Sequence, residues 1–406
     1  MVASAPRLVS ARGDVGARTP GRGSVETRRA PEVRGCSQPG RRRPVRKEEH
    51  VPQVEREITT PVRLVGPRGR LDPAAHGWSR TPLHDTTLPV GPRFWGRNKR
   101  WEYWGLVTPT HIIGLTISNL DYAAVHQLYV LDRRSGDTVD AAVTNPLGRG
   151  TVLPELLAQG PSRASGRRFD LAIDDVAPAV DDDVTVSGLA VPPDAPRPGR
   201  ATRLRARTPR VELDLVAERR PGWEAMCVVV PFGPGRYQYT VKDVAIPLRG
   251  TLVIDGEHLE VGDDAWAVLD HGRGRWPYSR TWNWAAGSGM VDGVRTGLQL
   301  GGRWTVGTGS TENALVLDGV VHKISEEVAW EYDRDDWMRP WRVHGEQVDV
   351  TFTPFHERRA VTNLVVLAGD TTQCFGTWEG WMSTTDGERV RVDGLVGWAE
   401  EAKNRW

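Results

Sequence analysis

The chain is short of cysteine, of long apolar runs and of phenylalanine, and each shortage closes off a class of protein. Three cysteines in 406 residues, Cys36, Cys227 and Cys374, stand too far apart to pair as a thiolate metal site or a disulfide framework, which suits a reducing compartment. No apolar run approaches the roughly 18 residues that a membrane-crossing helix needs. The arginine-bearing start has no apolar stretch of the kind a secretory signal carries. A soluble, cytoplasmic protein is expected, with no membrane span. His258, His271, His322, His344 and His356 show no i, i+2 or i, i+4 spacing on one element, so neither a metal nor any other cofactor is expected. Tryptophan outnumbers phenylalanine by 17 to 6. Indole differs from phenyl in keeping an N–H that seeks a partner when buried.

A net charge of +1 hides an asymmetry. Residues 1–50 hold 12 basic against 5 acidic side chains, which leaves 41 against 47 for the remainder. A mildly acidic body argues against a nucleic-acid partner, because phosphate binding needs a concentrated basic face. Residues 1–55 are rich in Arg, Pro, Gly and Ser. They cannot bury enough surface to offset their ordering entropy, so a disordered tail is expected there. The Arg41-Arg42-Arg43 cluster reads first as a solvated tail and second as a contact for RNA or an acidic partner.

From Ile58 onward the pattern is one of short alternating runs between turn residues. Residues 101–107, 113–117 and 125–131 read as successive strands. The runs at 228–230, 252–254, 282–286, 296–300, 348–352, 364–367 and 390–392 continue the series. Asp-Gly pairs at 255–256, 292–293, 318–319 and 386–387 fall between such runs and mark tight antiparallel hairpins. Helix signals are poor, with a hint of one turn at 154–159. An acidic stretch at 174–183 and a Pro- and Arg-rich one at 192–210 read as a mobile excursion. The economical architecture is an all-β meander closing into barrels, since closure removes exposed edges. Lys99-Arg-Trp-Glu-Tyr-Trp-Gly105 echoes Ser279-Arg-Thr-Trp-Asn-Trp-Ala285: a basic lead-in, then aromatics at i and i+2 on one face of a strand. The echo divides the body into two related barrels, 56–245 and 246–406.

Gly69-Arg-Leu-Asp72, Gly77-Trp-Ser-Arg80, Lys99 to Trp104, Asn145-Pro-Leu-Gly-Arg-Gly150, Tyr239-Thr-Val-Lys242, Asp270-His-Gly-Arg-Gly-Arg-Trp-Pro-Tyr278 and Gly397-Trp-Ala-Glu400 together resemble the bacterial and fungal family known as domain of unknown function 2804. The resemblance spans nearly the whole body and implies no activity. More distantly, residues 250–284 are similar to the central segment of lipocalin-like carotenoid hydratases. There a glycine-bearing hairpin leads to an Asp-His-like pair and then a Trp-x-Trp strand. That similarity implies an all-β fold of two consecutive calycin- or lipocalin-like antiparallel barrels. It also implies relatives that hydrate polyenes or guide the cyclisation of polyketide chains.

The candidate site gathers around Asp270 and His271. They are neighbours on a strand, so their side chains point to opposite faces. Facing an interior lined by tryptophan, Asp270 would keep a proton near neutral pH and act as the catalytic acid; the alternative is that it holds Arg273, Arg275 or backbone amides of a following loop. Arg273, Arg275, Tyr278 and Arg280 read as a basic–aromatic loop that clamps a carboxylate or polar head group. Trp101 and Tyr103, with Trp282 and Trp284, supply aromatic walls; Asn283 lies between the last two. Lys242 reads as a Schiff-base or charge partner. Gly77-Trp-Ser-Arg80 lacks the frame of a nucleophile elbow.

The expected partner is a hydrophobic, partly polar small molecule in a Trp-lined cavity, acted on by a hydratase, isomerase or cyclase without a cofactor. A carrier of the same fold would lack a buried carboxylate with an unpaired, ligand-facing oxygen. A carbohydrate-active protein would need two carboxyls facing each other about 5–9.5 Å apart across an open cleft. The oligomeric state is left open.

Overall fold

A computed structural model of the protein describes residues 55–66, 68–177, 199–364 and 367–405. Among them the one helical element is the single 3-10 turn Pro73–Ala75, and the rest of the regular structure is strand. No helix there is long and apolar enough to cross a membrane. The expected tail lies outside the described residues, apart from Glu55. Glu55 is buried, accepts from Lys323 Nζ and Thr311 Oγ1 at 2.6 Å each, and so belongs to the body.

Two curled antiparallel sheets carry the architecture. The first has the spatial order Thr138–Pro146, Ala123–Asp132, His111–Asn119, Lys99–Val107, Trp266–Arg275, Arg236–Ile254, Val211–Arg219, Arg200–Arg207, Phe169–Val176, Ser162–Gly166 and Thr151–Val152. Asn145 Nδ2 donates to Ser165 O at 2.8 Å, drawing the two ends of this path together. The second runs Val320–Ile324, Asn313–Leu317, Val294–Gly302, Ser279–Val291, Leu395–Arg405, Leu367–Ser383, Val348–Leu364, Trp341–His344 and Ala329–Glu331. Three of the four Asp-Gly pairs turn as their sequence requires, with both residues at positive φ; at 386–387 only the glycine is there, at φ 83°. Asp255 and Gly256 have φ 50° and 88°, Asp292 and Gly293 50° and 81°, and Asp318 and Gly319 48° and 78°.

Four expectations need correction. The boundary at 245/246 falls inside the Arg236–Ile254 strand. Ala245 there has φ 58° and the register against Trp266–Arg275 slips between Asp243 and Ile246, so a bulge bends one long strand where the sequence reads as a break. The chain changes sheet later, between Arg275 and Ser279. The charged excursion contains a pair of antiparallel strands, Phe169–Val176 and Arg200–Arg207, with 178–198 outside the described residues. In Arg200–Arg207 the small or apolar Ala201, Leu204 and Ala206 are buried, while Arg203 and Arg205 point outward to Asp214 and Asp174. Residues 154–159 form turns, and Leu364 and Leu367 are register partners on two paired strands, with 365 and 366 outside the described residues.

The basic–aromatic echo has a topological counterpart. Lys99–Val107 lies between its hairpin mate His111–Asn119 and the last strand of its sheet, Trp266–Arg275. Ser279–Val291 likewise lies between Val294–Gly302 and Leu395–Arg405. Each sheet buries its own core, and a third cluster joins them: Val107, Tyr129, Val244 and Val268 from the first meet Trp284, Val316, Phe375 and Trp398 from the second. The close approach explains Gly105. A Cβ there would stand 2.2 Å from the Trp398 ring, so the indole seats on bare backbone.

The buried Glu55–Lys323 pair gives a sharp test. Replacing Glu55 with Ala strands the ammonium and should lower the free energy of unfolding by about 3–5 kcal/mol in urea melts. Glu57→Ala, which cuts a partly exposed pair with Arg80, should cost no more than about 1 kcal/mol.

Candidate functional site

Between the two sheets lies a pocket of about 330 Å³. Alternation along the strands decides what enters it. Tyr103, Asp270 and Lys242 are register partners on three neighbouring strands, so their side chains emerge together on one face. Trp101 opposes Gly272, where a Cβ would meet its ring at 2.1 Å; the indole lies flat on that glycine. The second sheet contributes Trp282, Trp284, Glu400 and Arg358, and the segments between strands contribute Trp276, Trp304 and Glu312.

The tryptophans form a continuous wall. Ring centroids are 4.4 Å apart for Trp101 and Trp276, 5.7 Å for Trp276 and Trp304, and 6.0 Å for Trp282 and Trp304. Their N–H groups explain why the residue is tryptophan. Trp101 donates to Asp270 Oδ2 at 3.1 Å, Trp304 to Glu312 Oε2 at 3.1 Å and Trp282 to Glu400 Oε1 at 3.2 Å. Each carboxyl in the pocket is thus held by an indole.

Asp270 is committed further. Its Oδ1 accepts from Lys242 Nζ at 2.9 Å and from Thr240 Oγ1 at 3.1 Å, and Lys242 lies 4.8 Å over the Trp284 ring. Burial lowers the Lys242 pKa, but the charges of Asp270 and Glu312 and the hydrogen bond to Asp270 outweigh it and leave the pKa raised. Lys242 is therefore an ammonium and a charge partner; a Schiff base would need the neutral amine. Asp270, expected as the acid, is the anion of an ion pair. The protons near neutrality belong to two other residues. Burial pushes Glu400 up to about 7 against the pull of Trp282, Lys242 and Arg358, with the Asp270 charge adding to the rise. Burial pushes Glu312 up to about 6, opposed chiefly by Lys242. Glu400 Oε2 also accepts from Gln373 Nε2 at 3.1 Å. Glu312 Oε1 is buried without a hydrogen-bond partner among the described residues.

Of the residues singled out from sequence, Trp101, Tyr103, Lys242, Asp270, Trp282 and Trp284 line this pocket. Arg273, Arg275, Tyr278, Arg280 and Asn283 do not. The strand extends through Arg275, so Arg273 and Arg275 alternate onto the opposite face. Arg273 is fully buried, donating to Gly272 O and Pro154 O at 2.8 Å each; Arg275 donates to Asn98 Oδ1 at 2.9 Å. His271 shares that face, 3.9 Å from Glu102, with burial lowering its pKa to about 4. Tyr278 is exposed, Arg280 lies 4.5 Å over the Phe232 ring, and Asn283 points away from its tryptophan neighbours to Tyr332 Oη at 3.0 Å. Glu312, Glu400, Arg358, Trp276 and Trp304 escaped the sequence reading as site residues. The motifs Gly397-Trp-Ala-Glu400 and Asp270 to Tyr278, which contains Trp276, were the signals available for two of them.

A larger hollow of about 690 Å³ opens inside the first sheet. Its polar groups hold one another: Arg219 Nε pairs with Asp243 at 2.6 Å, Trp223 Nε1 donates to Asp243 at 2.8 Å, and Ser162 donates to Glu102 at 2.8 Å. The pocket between the sheets is the better candidate, because there a carboxyl is left with an oxygen to offer. Among the described residues no three His, Cys, Asp or Glu side chains group as a metal site.

Compared with known proteins, residues 55–406 match the family model described as domain of unknown function (DUF2804). No curated protein matches in sequence. Solved structures of loosely similar outline include CghA with Sch210972, at 10% identity over 76% of this chain and 89% of that one, TM-score 0.45. Kievitone hydratase from Nectria haematococca stands at 9% identity over 76% and 89%, TM-score 0.36. At those scores neither likeness bears on the chemistry argued from the residues.

Two mutants test the electrostatics. Asp270→Asn leaves Lys242 buried without its anion and should cost about 3–5 kcal/mol of stability by chemical denaturation. Glu400 holds its proton more tightly folded than unfolded. Its contribution is therefore complete below the ordinary glutamate pKa of 4.5 and is lost as pH rises through about 7. Glu400→Gln, neutral at every pH, should gain on the unsubstituted protein by up to about 3 kcal/mol as pH rises from about 5 to about 8. A stability gap that stays constant across that range would refute the raised pKa.

Proposed function

We propose that this chain, which belongs to the DUF2804 family, takes a hydrophobic, partly polar small molecule into its tryptophan-lined pocket and acts on it by acid–base chemistry, as a hydratase, isomerase or cyclase. The observation that carries this reading is Glu312 Oε1, a buried carboxyl oxygen on the pocket wall that no protein group satisfies among the described residues. Leaving such an atom unpaired costs about 1–3 kcal/mol. A carrier gains nothing from that cost, whereas a proton-transfer catalyst needs the lone pair.

Two carboxyls that burial pushes up toward the neutral range divide the work. Glu312, raised to about 6 and left with Oε1 unpaired among the described residues, serves as base; Glu400, raised to about 7, serves as acid. In a hydration, Glu400 gives its proton to one carbon of a double bond, water adds to the other, and Glu312 takes the proton that water releases. In an isomerisation, Glu312 takes a proton from carbon while Glu400 delivers one elsewhere. Either cycle balances without an electron carrier, and both glutamates reset by exchange with solvent. The Lys242–Asp270 pair supplies a fixed dipole beside the reacting atoms. The indole faces hold a flat or polyene-like body.

Three carboxyls among tryptophans also meet some of what glycoside hydrolysis demands, and product analysis separates the readings. Small molecules that co-purify with Glu312→Gln are identified by mass spectrometry, then incubated with the unsubstituted protein in deuterated water. The expected product carries solvent deuterium at carbon, with a gain of one water for a hydratase and none for an isomerase or cyclase. Return of the same molecule unchanged would make the protein a carrier, and release of a free sugar would favour the carbohydrate reading.

A further inference from the structure

Resting on that reading of the pocket, we propose that the molecule bound there is an acid, and that Arg358 receives its anionic end. The anion is a carboxylate. Arg358 lies on the Val348–Leu364 strand and lines the pocket, with its side chain 13% exposed. Its plane sits 4.0 Å over the Tyr129 ring, which fixes the guanidinium by stacking and leaves its edge for in-plane partners. That edge is little used. Nη1 reaches Gln373 Oε1 at 3.4 Å, and Nη2 is 3.8 Å from Asp140 Oδ2, a carboxylate already held by Gln127 at 2.9 and 3.1 Å. Nε and Nη2 are buried and donate no hydrogen bond among the described residues.

Those two nitrogens form the side-on fork of arginine, whose parallel N–H groups match the two oxygens of a carboxylate. The same protein shows the fork filled elsewhere. Arg342 uses Nε and Nη2 on Asp349 at 3.0 and 3.1 Å, and the neighbouring Arg359 uses them on Asp370 at 3.2 and 3.1 Å. In Arg358 the equivalent pair of nitrogens holds no carboxylate, on a side chain that lines the pocket. The other cations lining the cavity are differently placed: Lys242 is paired with Asp270, Arg100 with Asp121 at 3.0 Å, and Lys99 donates to Gly96 O at 3.3 Å. An incoming carboxylate therefore finds one prepared partner. The head group anchor sought in Arg273 and Arg275 thus falls to an arginine of the other sheet.

The test uses cis-parinaric acid, a fluorescent polyene acid, and its methyl ester, titrated against the full chain. The unsubstituted protein should bind the acid at least about tenfold more tightly than the ester, the worth of one charge-assisted bidentate contact. Arg358→Gln should abolish that preference while leaving ester affinity unchanged, and Arg358→Lys, which keeps the charge without the fork, should retain some of it. Equal affinity of the unsubstituted protein for acid and ester would overturn the inference and leave the apolar pocket standing. Full preference surviving in either variant would overturn it too, by showing that another cation receives the head. Binding of neither probe would overturn the reading of the pocket, and the inference with it. If Arg358→Gln fails to fold, the lysine variant carries the test alone.

Discussion

A buried ammonium and a buried carboxylate, Lys242 and Asp270, meet at 2.9 Å across adjacent strands, and the chemistry of the interior is arranged around them. Such a pair adds little net stability, because desolvating two charges offsets most of their attraction. Its effect is on its neighbours. Asp270 raises the pKa of both Glu312 and Glu400, and Lys242 lowers both. With the pair in place, burial lifts two glutamates only as far as the neutral range. Without the ammonium they would be locked as neutral acids; without the aspartate, the ammonium would draw them back toward ordinary carboxylates.

Indole is the second constraint. A carboxyl inside an apolar wall needs donors, and a wall of phenylalanine has none. Trp101, Trp282 and Trp304 each present an apolar face to the pocket and an N–H to a carboxyl, so wall and acid are built from the same side chains. The choice of tryptophan at these three positions follows from this requirement. Gly105 and Gly272 answer to ring size instead, giving Trp398 and Trp101 bare backbone to lie against.

Features set by neighbours along the chain were legible in the sequence. The Asp-Gly hairpins need only local torsion preferences, and the i, i+2 aromatics at 101 and 103 and at 282 and 284 need only strand alternation. Asp270 stood out beside its apolar strand. Arg273 and Arg275 were misread because glycines at 272 and 274 suggested a loop; the glycines in fact accommodate Trp101 and Gln238, and the strand continues. Arg358, next to Glu357 and Arg359, looks like a solvated run of charge, and nothing around Glu312 marks it locally. Their meaning comes from strands distant in sequence, which a single chain read end to end does not bring together. The bend at Ala245 was hidden for a related reason: a bulge erases the alternation that would have shown one strand continuing.

The place of Leu395–Arg405 has a consequence for biosynthesis. It fills the gap between Ser279–Val291 and Leu367–Ser383, making a full ladder with each, and it carries Trp398 and Glu400. A ribosome delivers Ser279–Val291 long before this strand, and Leu367–Ser383 just ahead of it. Until it arrives, the nascent chain holds two unsatisfied ladder edges and an open seam where Trp398 should seat on Gly105. The first sheet has its own late arrival in Trp266–Arg275, which must slot between strands made earlier. Both insertions are long-range, so folding should be slow and prone to off-pathway strand pairing, and a chaperone that shields half-built sheets would favour its yield.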